Sequence, residues 1–242
     1  MRRGGGIGVR RGWAAGVLGI TLMAACSSPG TAPREGRLPA WAVQHLVKSD
    51  VNRFVEADQQ RIFISLRRLA VKLYKRNPKE WRKSAPTLEA AVSRIFDDKH
   101  GWRFEELGYR RGVDAIQVAL HPGYRGDRVM AYIVGMAGMV QLAFGDREEF
   151  YVLDDLDAQH LYNAARNVEI AAWKLASARD ERGELLLLSN EIGDISNLSF
   201  EREFGRIIGL LELLSDVIEE KTERTVTRVV QSMATAVFLP VH

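Results

Sequence analysis

Residues 129–145, VMAYIVGMAGMVQLAFG, carry no charge, and Gln141 is the one strongly polar side chain among them. A helix built from this run is apolar on every side and has no face to give to water, so it requires either a surround of other helices or lipid. Its length is marginal for a membrane crossing, and Arg128 and Asp146 close it at either end. The expectation is a central core helix, with membrane insertion the lesser alternative. Ala131, Gly135 and Gly138 put small residues where a neighbouring helix would approach closely.

The rest of the chain offers that surround. Between Ser49 and Arg76, Ile62, Leu66, Leu69 and Leu73 recur at helical spacing, and Asn77-Pro78 is a stop signal. Thr87 can cap a helix through Phe96. Gly112 to Leu120 makes another, ended by His121-Pro122-Gly123. Asp157 can cap a helix through Ala178 whose stripe is Leu161, Ala164, Ala165, Val168, Ala171, Ala172 and Leu175. Ser199 can cap one carrying Phe200, Phe204, Ile207, Ile208, Leu211 and Leu214. From Thr222 to Leu239, Val226, Val229, Val230, Met233 and Val237 repeat at helical spacing, although the β-branched content leaves a strand open. The runs 150–153 (FYVL) and 185–188 (LLLL) fit either period. The fold class expected is all-α: a single multi-helix bundle domain over residues 40–242, long enough to bury one core, following a cleaved signal and a flexible tether.

The N-terminal stretch explains where the single cysteine sits. Arg2, Arg3, Arg10 and Arg11 precede an uncharged run, AAGVLGITLMAA at 14–25, which is the layout of an export signal. A 12-residue helix spans roughly 18 Å at ~1.5 Å per residue, short of the ~30 Å hydrocarbon core. Leu22, Met23, Ala24 and Ala25 lie directly before Cys26. This arrangement resembles the lipobox of bacterial lipoproteins, and the following domain loosely resembles proteobacterial envelope lipoproteins of unassigned activity. The resemblance implies cleavage before Cys26, acylation of its thiol, and attachment to a membrane through the lipid. An ordinary secretory signal with an incidental cysteine is the alternative. Ser27 follows the cysteine in place of the Asp that retains such proteins at the inner membrane. The outer membrane, facing the periplasm, is therefore the expected location, with the periplasmic face of the inner membrane as the alternative. Residues 1–25 are then a signal peptide and residues 26–39, rich in Ser, Pro and Gly, a lipidated tether.

Loss of the signal changes the charge balance. All four of its arginines leave with it, so 34 basic residues become 30 against 31 acidic, and the basic balance of the whole chain is no argument for nucleic-acid binding. With Cys26 acylated no disulfide can form, and stability rests on core packing.

Three candidate sites stand out. Residues 67–83 hold eight Lys and Arg against the one acid Glu80, and Arg68, Lys72, Lys75, Arg76 and Lys79 gather on one side of a helix. That face could dock on phosphate-bearing head groups or on an acidic partner; a solvated face balanced by acids elsewhere is the competing reading. Asp154, Asp155, Asp157 and His160 are the nearest approach to a metal site, but only one Asp-x-x-His is present, and helix capping accounts for Asp157. Arg166, Asn163 and Asp157 could mark a site between helices. Gly-x-Ser-x-Gly, Ser-x-x-Lys, His-Glu-x-x-His, phosphate-binding Gly-x-x-x-x-Gly-Lys and Cys-x-x-Cys are all missing. No catalytic residue, metal or cofactor is called for. The favoured class is a lipid-anchored, non-enzymatic periplasmic protein with an envelope partner; the alternative is a ligand-binding or hydrolytic protein with a site between helices.

Overall fold

The apolar run becomes the centre of an all-helical bundle. The structure, a computed structural model, describes residues 50–151, 156–190, 197–223, 225–233 and 235–241. Its helices are α1 (Asp50–Arg76), α2 (Pro78–Trp81), α3 (Leu88–Phe96), α4 (Val113–Ala119), α5 (Arg128–Ala143), α6 (Ala158–Ser177) and α7 (Ser199–Thr222). Among the described residues there is no sheet; Arg179 and Leu185 form an isolated bridge. α5 is buried along its whole length except at Leu142, surrounded by α1, α2, α3, α4 and α6. α6 and α7 pack on each other, and α7 also lies on α1. Each fully buried Leu, Ile or Phe contributes about 1.5–3 kcal/mol, so the α1 stripe Ile62, Leu66, Leu69 and Leu73, all at 0% exposure, is a main source of stability. No helix among the described residues is long and apolar enough to cross a membrane.

The small residues of α5 are used for close approach. A Cβ on Gly135 would lie 2.6 Å from Ile116 Cγ1, 2.7 Å from the Ile116 nitrogen and 2.9 Å from the Gly112 carbonyl oxygen. At Gly138 it would lie 3.0 Å from the Gly112 nitrogen. The first turn of α4 therefore rests against bare backbone of α5. Gly112 itself has φ +61°, a left-handed value that favours glycine.

The caps follow local rules at two of three expected places. Thr87 Oγ accepts from Ala90 N (3.1 Å), and Asp157 Oδ1 accepts from Gln159 N (2.8 Å) and His160 N (3.4 Å). Ser199 is not a cap: it is the first residue of α7, and its N–H donates to Asn197 Oδ1 at 3.1 Å. The Asn side chain two residues earlier makes the turn instead. α1 ends at Arg76 as Asn77-Pro78 requires. Asn77 Nδ2 donates to the Leu73 and Leu188 carbonyls (both 2.9 Å), and Asn77 Oδ1 accepts from Leu188 N (2.8 Å). The amide so ties down the 185–188 run, which is a loop segment rather than helix or strand.

The expected helix over 222–239 is not formed. α7 stops at Thr222, with Glu223 left-handed at φ 54°, and the described residues beyond it run as a non-helical strap back along α6. Side chains of α6 pair with its backbone. Gln159 donates to the Thr227 carbonyl (3.0 Å) and accepts from Thr227 N (2.7 Å); Asn167 donates to the Leu239 carbonyl (2.7 Å) and accepts from Leu239 N (2.6 Å); Asn163 donates to the Pro240 carbonyl (2.6 Å). These amides supply the backbone partners that a helix would have made internally, and the β-branched run fits an extended path. Asn167→Ala is expected to release the strap's end: amide exchange at Leu239 and Val241 should rise by an order of magnitude or more while α1 and α5 keep their protection. Unchanged exchange would mean that apolar seating of Val241 alone holds it.

Surface ion pairs add little, but one is measurable. Arg67 is bidentate to Asp97 (2.6 and 3.2 Å), and Ser93 Oγ donates to the same carboxylate (2.6 Å). The Arg67 hydrogen bonds first, and Ser93 second, hold the Asp97 pKa down to about 2. A folded value below the unfolded ~3.9 means that the pair favours the folded state above that pH, and loses its contribution as pH falls through about 2. Carboxyl NMR titration should find the Asp97 midpoint near that low value, returning toward the ordinary carboxylate range in Arg67→Gln.

Candidate functional site

The basic stretch is divided by the fold. Arg67 is neutralised by Asp97, and Lys83 donates to Glu80 Oε2 at 2.7 Å. Lys72 is drawn into the α1–α7 contact: its ammonium donates to the Ser199 carbonyl (2.6 Å), lies 3.5 Å from Glu203 Oε1, and sits over the Phe200 ring. It is a packing residue rather than part of an open face. Arg68, Lys75 and Lys79 stay exposed and have no carboxylate partner among the described residues. Arg82, also exposed, stacks its guanidinium over Trp81, 5.0 Å from the ring centre.

The helix break at Asn77 gives this face its shape. α2 turns away from α1, and the loop after α6 folds over the junction, leaving a half-open cleft of about 570 Å³. Arg76, Lys79 and Arg82 line it from one side; Arg182, Asp180 and Glu184 line it from the loop. Asp180 Oδ1 is occupied in its own turn, accepting from Arg182 N (2.9 Å) and Glu184 N (3.0 Å). Four cations against two carboxylates leave a net positive field at the mouth. Of the expected docking residues, Arg76 and Lys79 line this cleft, Arg68 and Lys75 lie on the exposed helix surface before it, and Lys72 is elsewhere. Arg82 and Arg182 were not singled out by the helical-face argument, which follows one helix and cannot see a loop that returns from a hundred residues away.

The other expected sites are occupied by structure. Asp157 caps α6; Asp154 and Asp155, like Cys26 and the tether, lie outside the described residues. Among the described residues no group of three or more His, Cys, Asp or Glu could hold a metal ion. Arg166 pairs with Glu169 (2.8 Å) and closely with Glu212 of α7, while Asn163 holds the strap, so neither opens onto a ligand. Burial is the larger influence on Glu169 and raises its pKa against the pull of Arg166.

A buried acid pair near the α5 N-terminus has the look of acid/base machinery but is consumed internally. Asp127 caps α5 through Met130 N (2.9 Å) and accepts from Tyr74 (2.9 Å) and Ser84 (2.6 Å) hydroxyls. Glu80 accepts from Arg128 N (2.8 Å) and from Lys83. The two carboxylates are 4% and 1% exposed, shut away from any substrate. Burial raises the Asp127 pKa, with the three donors pulling the other way, and burial also raises that of Tyr74. The Arg128 guanidinium donates to the carbonyls of Ala119 (2.6 Å), His121 (2.8 Å), Pro122 (3.0 Å) and Tyr124 (2.7 Å), closing the end of α4 and the turn after it. Asp127, two residues before the apolar run, was a readable capping signal; the Tyr74 and Glu80 partners were not.

No family model, curated protein or solved structure matches this chain.

Proposed function

We infer that the protein is a lipid-anchored envelope protein, held through an acylated Cys26 on the periplasmic side of the outer membrane, and that it works as a non-enzymatic interaction module. The observation that supports this reading is the set of exposed cations Arg68, Lys75, Lys79, Arg82 and Arg182, which have no carboxylate partner among the described residues; Lys79, Arg82 and Arg182 line the α1–α2 cleft, and Arg68 and Lys75 lie on the helix surface before it. Unpaired like charges on one surface cost stability through mutual repulsion and are offset when an acidic surface covers them. The partner is accordingly an envelope protein with an acidic face.

Two experiments separate the parts of this reading. Cys26→Ser should abolish acylation and release the protein from the membrane fraction; a Cys26→Ser chain that still fractionates with the outer membrane would overturn the anchor. In-cell crosslinking of the intact protein, followed by mass spectrometry, should recover one partner in near-stoichiometric amount. Lys75→Glu/Lys79→Glu/Arg182→Glu should lose it, since all three side chains are exposed and none supports the core. Recovery of no specific partner, or of the same partner from the charge-reversed chain, would overturn the docking face.

A further inference from the structure

On the other flank of α1 a second cleft, about 660 Å³ and open on one side, lies between α1, α3 and the segment after α5. Its size falls in the range of small-molecule sites, roughly 300–1,000 Å³. Phe63, Phe96 and Trp102 make an aromatic wall, in which Phe63 and Trp102 stack at 5.4 Å and Phe96 meets Trp102 edge-on at 5.9 Å. Glu56, Glu148 and Glu149 line the opposite part. The one cation in the lining, Arg67, is already bound to Asp97. The cleft therefore joins an aromatic surface to a negative field, the combination that attracts an organic ammonium group.

Three features show that the cleft is held in shape. Gln59 and Gln141, buried at 5% and 8% exposure, both donate to the Arg147 carbonyl (2.7 and 2.9 Å), and Phe150 N donates to Glu56 Oε1 (2.9 Å). Glu148 and Glu149 are thus clamped on both sides, although two neighbouring carboxylates gain nothing from being fixed together. Tyr151 donates to Glu149 (2.6 Å), whereas Glu148 has no partner among the described residues. Finally, Trp102 takes φ +60°, which is rare for a bulky side chain, directly after Gly101 at φ +56°. Its N–H donates to His100 Nδ1 (2.9 Å), and the other ring nitrogen of His100 is 2.9 Å from the Ile95 carbonyl. The indole N–H has no acceptor among the described residues. Backbone strain of this kind persists where the surroundings dictate it, and it concentrates at ligand sites.

We propose that this cleft binds a small organic ammonium ligand, with the ring or chain of the ligand packed on Trp102 and its charge beside Glu148 and Glu149. The site is separate from the basic face and does not depend on the partner inferred for that face. The backbone on either side of the two glutamates is fixed, which lowers the ordering cost of binding, and the open side admits a ligand without a helix having to move.

The test uses the intact protein in detergent, labelled with fluorotryptophan, with the Trp102 signal assigned by Trp102→Phe. Benzylamine, protonated at neutral pH, is the probe, and benzyl alcohol is its uncharged counterpart. The amine should shift the Trp102 signal saturably, the alcohol should bind about tenfold or more weakly, and Glu148→Gln/Glu149→Gln should weaken amine binding by about tenfold or more. Both glutamates are exposed, so this variant keeps the fold, as a circular dichroism melt will verify. No saturable shift up to about 10 mM amine, equal binding of amine and alcohol, or unchanged affinity in the double variant would each overturn the proposal.

Discussion

Gly135→Ala is expected to destabilise the protein by about 2 kcal/mol or more, lowering Tm by roughly 4–8 °C for a domain of this size. Alanine is the better helix former by about 1 kcal/mol, so a mid-helix glycine would ordinarily gain from the change. Here the added methyl meets the Ile116 nitrogen at 2.7 Å and the Gly112 carbonyl at 2.9 Å, and backbone atoms cannot swing aside as a side-chain tip can. α4 must back away from α5, opening space beside a core that is closely packed everywhere else. Gly209→Ala on α7 is the control. A Cβ there meets nothing within 4 Å, so the same substitution should raise Tm slightly. Equal responses at the two positions would mean that α4 does not bear on α5 as described.

Arg128→Ala should cost about 3–5 kcal/mol by urea denaturation. The loss has little to do with surface charge. Four backbone carbonyls from residues 119–124 accept hydrogen bonds from one guanidinium, whose residue is itself 7% exposed. Removing it takes a donor from all four carbonyls, that of Ala119 in a buried bond, while the His121 carbonyl keeps Tyr124 N at 3.1 Å, and it takes a positive neighbour from Glu80. Lysine should rescue little, because a single ammonium cannot reproduce the planar fork. A cost below about 1 kcal/mol would show that the 119–124 turn holds its shape without the guanidinium.

What the sequence could and could not disclose divides along a physical line. Elements set by nearest neighbours were legible: the all-round apolarity of α5, the Thr87 and Asp157 caps, and the stop at Asn77-Pro78 each depend on residues within one or two turns. The 222–239 segment misled because its valines fall at helical spacing by coincidence. Its conformation is decided by Gln159, Asn163 and Asn167, about seventy residues upstream, whose amides make an extended backbone affordable. The basic stretch was legible as charge but not as geometry. Lys72 belongs to a helix contact, and the cleft exists only because the loop bearing Arg182 returns beside α2. The aromatic and acidic cleft was not legible as a site, since its walls come from residues 56–67, 96–102 and 141–149, which only the fold brings together.

The strap along α6 has a consequence for association. It is joined to α7 through residues 223–225 and held by amide pairs and by the seating of Val226, Ala236 and Val241, while Val230 between them is 99% exposed. A second copy offers the identical amides in the identical order. Two chains refolded together at high concentration can therefore exchange straps with every pairing on α6 retained, a domain-swapped dimer whose formation depends on concentration during refolding rather than on any new interface. Such exchange would make the strap, rather than the helical body, the element through which refolded chains associate.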